Sequence, residues 1–269
     1  MHPSRGLSAD GLFTHKGTVL QMVSRWKAAA GERMSRFTYH LPILGYHRVG
    51  PHKGDHVPTV PPEAFERQLS YLSRHRYGVL SVEEFVDVLD GRRPAPHRSV
   101  VITFDDGYEE THTVAWPLLK RFGFPATVFV TPDEVGRSGF LTWEQVIELS
   151  NDAVTIGCHT MSHSYLPLVR EDRLATELVE SKHVIEQRIR RPVQFIGYPI
   201  GGFTPAAQAI VKHAGYLAAF TTNRTASRAV LDRYALRRIK VTERDADPLR
   251  FWAKVSGYYD SFRELRQPS

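Results

Sequence analysis

Seven short apolar runs with the character of β-strands recur along the chain, and helical segments or long loops separate them. Strands that alternate with helical segments in this way are typical of βαβ units, whose strands are parallel. The pattern predicts a parallel α/β fold, either a barrel or an open sheet, in which functional residues collect where strands end. The runs span residues 43–46, 100–104, 126–130, 154–157, 193–196, 218–221 and 236–241.

The helical segments carry their own sequence signals. Pro62 stands at a first-turn position before Phe65, Leu69 and Leu72, which share one helical face. Leucine and isoleucine recur at helical spacing through the highly charged segment 174–189. Further helices are predicted over residues 82–90, 112–122, 142–150, 204–214 and 247–256.

The composition favours one large domain over two small ones. The chain has 269 residues, of which 42% are hydrophobic, and this is enough for a substantial core. Its formal charge is +6, but the basic residues are scattered and no nucleic-acid recognition motif is present, so we interpret the charge as a solvated surface. A single cysteine, Cys158, excludes an internal disulfide and leaves the redox compartment open.

Residues 1–40 are predicted to be an extension, helical or disordered, ahead of a domain over residues 41–269. The absence of a signal-peptide core and of a membrane span favours a cytoplasmic protein. An apolar helical face within residues 17–30 could either pack on the domain or contact a membrane surface. If Met34 is the natural start, the N-terminus is misassigned, and an extracytoplasmic or membrane-associated location stays open.

Two adjacent aspartates, Asp105 and Asp106, directly follow the run at 100–104. Acids at the end of a buried strand are retained when they are paired or metal-bound, because an unpaired carboxylate out of water costs several kcal/mol. Since neighbouring side chains on a strand point to opposite sides, we expect the two acids in different environments. One could hold a metal and the other could move a proton, but composition does not say which.

His159 and His163 follow the run at 154–157 and offer two imidazoles four positions apart. With one aspartate oxygen, they would leave open positions on Zn²⁺ or another borderline divalent cation, as a hydrolytic metal site requires. His52 and His56 have the same spacing, but they lie in a loop with proline and glycine, and we interpret them as surface residues.

These motifs, TFDDG at 103–107 and HTMSH at 159–163, resemble the first two motifs of polysaccharide deacetylases with a NodB-type homology domain, carbohydrate esterase family 4. The flanking sequence most resembles the branch acting on poly-β-1,6-N-acetylglucosamine. The resemblance implies a distorted (β/α)7 barrel and metal-dependent hydrolysis of N-acetyl groups. It also implies that Asp105 is the general base and that Asp106, His159 and His163 bind the ion, with Zn²⁺ favoured over Co²⁺ or Ni²⁺.

The chain departs from the family pattern in its later motifs. The third motif, at 197–201, lacks the family's arginine and tyrosine. Arg238 is our candidate to replace that arginine, which orients the base, and the alternative is a surface cation. Ile200 could still supply a backbone N–H to the oxyanion, whereas Tyr198 either lines the pocket or packs beneath it.

No clear counterpart of the family's general-acid histidine is present near the last run. His47, which follows the first run, is our candidate, because imidazole suits proton transfer near neutral pH. The alternative is a histidine that only shapes the pocket. Trp143 could stack on a sugar ring or pack in the core.

The sequence therefore predicts a metal-dependent hydrolase that removes N-acetyl groups from an N-acetylhexosamine-containing glycan, with no nucleic-acid partner. Two alternatives stay open: an amide hydrolase acting on a small molecule or a lipid-linked sugar, and a glycan-binding protein that has lost activity. A glycosidase is disfavoured, since it needs two carboxylates about 5–9.5 Å apart across the sugar bond.

Overall fold

The computed structural model describes residues 41–259, except 52, 53, 55, 95, 97 and 224–231. The predictions for residues 1–40, for the apolar face within 17–30 and for His52 lie outside this part of the chain. Among the helices of the described residues, none has the length and apolar character to cross a membrane.

A nine-stranded parallel sheet dominates the described residues, and a separate pair of short strands, β2 and β3, lies beside it. The strands are β1 (Ile43–Tyr46), β2 (Arg48–Val49), β3 (Thr59–Val60), β4 (Gly78–Leu80), β5 (Ser99–Phe104), β6 (Ala126–Val130), β7 (Val154–Cys158), β8 (Phe195–Gly197), β9 (Ala218–Thr221), β10 (Leu236–Arg237) and β11 (Ile239–Lys240). All seven predicted runs are strands. Their order in the sheet is β10-β9-β8-β7-β6-β5-β1-β11, and β4 pairs with β5.

The sheet closes on itself through the last predicted run, which is split into two strands at Arg238. Its first half pairs with β9 through Leu236 and Phe220, and its second half pairs with β1 through Ile239 and Leu44. The backbone N–H of Arg238 donates to the carbonyl of Thr221 at 2.8 Å, so the connection is continuous across the split. The result is a nearly closed parallel barrel, which confirms the predicted distorted (β/α)7 fold.

The helices occupy the positions that their sequence signals predict. Pro62 is the first residue of its helix, and Ser81 and Thr142 each form a capping box that satisfies free backbone N–H groups. The helices are α1 (Pro62–Arg74), α2 (Val82–Leu89), α3 (Trp116–Phe122), α4 (Trp143–Ser150), α5 (Glu171–Ala175), α6 (Ser181–Ile189), α7 (Pro205–His213) and α8 (Pro248–Val255). Turns of π-helix, Thr111–Ala115 and Thr176–Glu180, precede α3 and α6.

Alternation along the strands sorts the core into two parts. One set of strand side chains packs with the helices outside the barrel, as Leu44, Ile102 and Val128 do. The opposite set fills the barrel interior, where the rings of Phe129 and Phe220 lie 5.4 Å apart. This aromatic layer forms a water-excluding floor beneath the carboxyl ends of the strands.

Candidate active site

The two acids reach the same site because β5 ends just before them. Asp106 has a φ of 71° and Gly107 a φ of 76°, so the chain turns through the left-handed region directly after Asp105. This corrects the reasoning from strand alternation, which assumed that the strand continues through both acids. The carboxylates do occupy different environments, but the turn, and not the pleat of the strand, separates their contacts.

Asp106 lies between the two predicted histidine ligands. Its Oδ1 is 3.3 Å from Nε2 of His159 and 3.1 Å from Nε2 of His163. Burial raises the pKa of Asp106, but the two imidazoles outweigh this, and the pKa lies well below its ordinary value. In return, contact with Asp106 raises the pKa of His163.

The backbone of the barrel orients His159. Its Nδ1 lies 2.7 Å from the carbonyl oxygen of Gly197, so Nδ1–H donates there and the Nε2 lone pair faces Asp106. A Cβ on Gly197 would lie 3.1 Å from Nδ1 and 3.2 Å from the ring of Phe129. Glycine at this position therefore lets the imidazole approach the strand closely. His159 is nearly enclosed, whereas 37% of the His163 side chain is exposed.

These three side chains fit a divalent cation. One ligand atom from each lies within 4.8 Å of the others. Ligand atoms held about 2.0–2.1 Å from a tetrahedral Zn²⁺ lie about 3.3 Å from one another, close to the two distances found here. Oδ1 of Asp106 is also buried without a hydrogen-bond partner within the described residues, which a bound cation would supply.

Arg238 holds the second acid, Asp105, through a bidentate ion pair. Its Nη1 donates to Oδ1 at 2.5 Å and its Nη2 donates to Oδ2 at 2.8 Å. Nη1 also lies 3.1 Å from the hydroxyl oxygen of Thr103. Burial raises the pKa of Asp105, but the Arg238 guanidinium and the nearby His159 outweigh it, so the pKa falls below its ordinary value. The guanidinium carbon lies 5.2 Å from the centre of the Phe129 ring, which shields the pair from below.

His47 completes the cluster from the end of β1. Its Nε2 lies 4.0 Å from Oδ2 of Asp105. Burial lowers the pKa of His47, although the charges of Asp105 and Asp106 oppose this shift. Burial therefore favours the neutral imidazole, whose Nε2 faces the Asp105 carboxylate.

The remaining predicted site residues take different positions. Tyr198 has no exposed surface, stacks on Phe203 and donates its hydroxyl to the carbonyl of Tyr234, so it packs beneath the site. Ile200 has a φ of 57° in the turn after β8, and its side chain is 71% exposed. Trp143 begins α4, half-buried, with a guanidinium over its ring, and its contact with a sugar stays a prediction.

Two contributors were not predicted. Gly197 orients His159 through its carbonyl, and Thr103 joins the Arg238 guanidinium to the Leu44 carbonyl of β1, to which its hydroxyl donates at 2.9 Å. Thr103 belongs to a motif that the sequence singles out, but no sequence signal assigns it this contact. His56, half of the other histidine pair, is exposed.

The fold and the donor set define the class of protein: a parallel α/β barrel with an Asp-His-His cation site at the carboxyl ends of its strands. The family described as polysaccharide deacetylase matches this chain over residues 92–219. "Putative polysaccharide deacetylase YxkH" of Bacillus subtilis (strain 168) is 30% identical over 202 residues, which cover 75% of this chain and 71% of that protein.

A curated poly-β-1,6-N-acetyl-D-glucosamine N-deacetylase of Staphylococcus aureus (strain MSSA476) is 25% identical over 199 residues, covering 69% of this chain and 68% of that protein. The solved structure of the Streptococcus pyogenes deacetylase PplD, in complex with acetate, superposes with a TM-score of 0.71 and 27% identity, covering 80% of this chain and 99% of that one. The chain belongs to the polysaccharide deacetylase family of hydrolases. His47 and Arg238 lie outside the matched range, and only the barrel brings them to the site.

Proposed function

We propose that this protein is a metal-dependent N-deacetylase that hydrolyses N-acetyl groups of an N-acetylhexosamine-containing glycan and releases acetate. One observation carries the proposal: a buried oxygen of Asp106, without a hydrogen-bond partner among the described residues, lies between two imidazole nitrogens, directly beside an aspartate that Arg238 holds ionised. Relatives named as poly-β-1,6-N-acetyl-D-glucosamine N-deacetylases favour a polymer of that kind as the substrate.

Asp106, His159 and His163 would hold the cation. Two imidazoles and one carboxylate are a donor set that suits Zn²⁺, with Co²⁺ and Ni²⁺ as alternatives, and leave positions open for water and substrate. Such a cation supplies Lewis acidity, which lowers the pKa of water and polarises the acetyl carbonyl. The carbonyl of Gly197 fixes the tautomer of His159 that presents Nε2 to it.

Asp105 is the proposed base. The Arg238 pair keeps its carboxylate ionised and fixed in direction, so it can accept a proton from the attacking water. The backbone N–H of Ile200, in the turn after β8, is the proposed donor to the tetrahedral oxyanion.

His47 is the proposed acid. It starts neutral, because burial lowers its pKa. Asp105 passes it the proton taken from water, across a resting separation of 4.0 Å between Oδ2 and Nε2. The imidazolium then donates that proton to the amide nitrogen as the carbon–nitrogen bond breaks. Water and amide are thereby converted to acetic acid, which ionises to acetate in water, and a free amine, while both side chains return to their starting states.

The test is acetate release by the purified protein from partially N-acetylated poly-β-1,6-glucosamine, chitin oligomers and small acetamides. We expect activity on the β-1,6-linked polymer that a chelator abolishes and Zn²⁺ restores. Asp106→Ala should reduce it by more than about 10²-fold, since the cation would lose its carboxylate. Asp172→Ala, an exposed acid on α5, is the matched control. Preference for small acetamides would support the amide-hydrolase alternative, and no acetate release from any substrate would contradict the proposal.

A further inference from the structure

A buried acid outside the catalytic cluster contacts the loop that carries both histidines. Glu177 belongs to the π-helical turn Thr176–Glu180, and only 4% of its surface is exposed. The sequence predicts only a highly charged helical segment over residues 174–189, which includes Glu177. A turn of π-helix within a longer helix is often found at a functional site, because it changes which side chains face inward.

The Glu177 carboxylate accepts hydrogen bonds from Met161, Ser162 and Ser164, in the loop that follows His159 and carries His163. Oε2 accepts the successive backbone N–H groups of Met161 and Ser162, at 3.0 and 3.1 Å. Oε1 accepts the hydroxyls of Ser162 and Ser164, at 2.7 and 3.3 Å. Consecutive N–H groups that converge on one oxygen form an anion-binding nest, and here the anion is a side chain of the same protein.

The loop needs such an anchor because its backbone is unfavourable by itself. Thr160 and His163 both have positive φ, at 64° and 57°, a region that residues with a Cβ seldom occupy unless their surroundings hold them there. The imidazole of His163 is also partly exposed, so packing alone does not fix its direction. The four donors to Glu177 belong to Met161, Ser162 and Ser164, which flank His163 on both sides.

The turn that carries Glu177 is itself fixed to the barrel. The hydroxyl of Ser181 donates to the Glu177 carbonyl at 2.6 Å and lies 3.1 Å from Sγ of Cys158, the last residue of β7. The hydroxyl of Tyr216 donates to the Leu178 carbonyl at 2.9 Å. Because these contacts tie the turn to the strand that leads into the loop, Glu177 is held rigidly relative to His159.

We propose that Glu177 is a positioning residue that presets the histidine loop, so that His163 Nε2 faces Asp106 before a cation binds. The inference rests on the proposed function, since it assumes that these residues hold a cation. Glu177 touches neither the substrate nor the cation in this scheme and acts only through the loop backbone.

The experiment measures Zn²⁺ affinity of the metal-free protein against a chelating indicator, for wild type, Glu177→Gln and Glu177→Ala. Loss of a partner that orients a metal ligand weakens binding by about 10–100-fold, and we expect this range for Glu177→Ala. The Zn²⁺ affinity of Glu177→Gln should lie between those of wild type and Glu177→Ala. Glutamine keeps one acceptor oxygen, but its amide N–H₂ would face the N–H groups of the loop. Glu180→Gln, an exposed acid of the same π turn, should match wild type within about twofold.

Amide hydrogen exchange of the metal-free proteins supplies a second readout, independent of activity. The N–H groups of Met161 and Ser162 should exchange faster in both Glu177 variants, while those of β7 stay protected. Wild-type affinity together with wild-type exchange in Glu177→Ala would overturn the positioning role. A wild-type protein that binds no Zn²⁺ would instead overturn the proposed function, so the two failures are distinguishable.

Discussion

At the scale of single residues, the ion pair between Asp105 and Arg238 sets the chemistry of the site. The Arg238 side chain is fully enclosed, and its planar fork matches both oxygens of the carboxylate. A buried pair of this kind gains little net stability, but removal of one partner leaves an uncompensated charge. The pair therefore matters for the direction and ionisation of the base more than for the stability of the fold.

Replacement of Arg238 should disable the base. Arg238→Ala is expected to lower kcat for deacetylation by about 10²-fold, because a displaced base loses its alignment with water. It should also lower the free energy of unfolding by about 3–5 kcal/mol, measured by urea denaturation, because Asp105 is left buried without its partner. Arg238→Lys should keep the positive charge but lose the bidentate contact with Asp105. It should therefore recover only part of the activity.

Arg244→Ala removes an exposed arginine six positions away and is the matched control for that experiment. It should leave kcat and stability close to wild type. Activity within a few fold of wild type in Arg238→Ala would remove Arg238 from the site.

At the scale of elements, a buried polar network attaches the last helix to the barrel. Nζ of Lys254, on α8, donates to the Lys240 carbonyl of β11 and to Oδ2 of Asp245, both at 2.6 Å. The Asp245 carbonyl accepts from Gln68 of α1, and Gln68 accepts the hydroxyl of Tyr46, the residue before His47. Burial lowers the pKa of Lys254, an effect that Asp245 opposes. The network thus links the helices α8 and α1 to the strands β11 and β1, which pair where the barrel closes.

Loss of Lys254 should therefore destabilise the fold. Lys254→Ala would leave the buried carboxylate of Asp245 without its cationic partner, and we expect a loss of about 3–5 kcal/mol in the free energy of unfolding. Arg250→Ala, at an exposed position of the same helix, should cost less than about 0.5 kcal/mol. Equal stability of the two variants in urea denaturation would contradict a structural role for the network.

At the scale of the whole molecule, the site exists only where strands from around the barrel meet. Its groups follow β1, β5 and β7 and the junction between β10 and β11, so each is positioned by a different part of the chain. A cation bound by Asp106 and the two histidines would connect β5 to the loop after β7. Since that geometry is present only in the folded state, binding should stabilise the entire barrel.

Zn²⁺ should therefore raise the melting temperature. At 100 times the dissociation constant, binding adds about 2.7 kcal/mol, which corresponds to a shift of about 5–10 °C for a domain of this size. His163→Ala should lose most of the shift, whereas His183→Ala, an exposed histidine on α6, should keep it. The melting temperatures would be measured by calorimetry. If Zn²⁺ raised them equally in wild type, His163→Ala and His183→Ala, the cation would bind at another site.

The sequence by itself determined the features that depend on local pattern. Strand runs and helix starts were predictable because apolar periodicity and capping residues act within a few positions, and all seven predicted runs are strands. The short strands β2, β3 and β4 were not predicted, since two or three residues carry no periodicity. Asp105, Asp106, His159 and His163 were identifiable because each pair is contiguous or closely spaced in a motif.

Only the tertiary structure decided which distant groups meet those motifs. Arg238 reaches Asp105 across 133 positions because the last run splits at that residue to close the barrel. The left-handed turn at Asp106 brings both acids to one site, against the alternation that a continuing strand would impose. Glu177 sits inside because a π turn rotates it toward the histidine loop. In each case the cause is a long-range closure or a local break in regular geometry, neither of which residue spacing encodes.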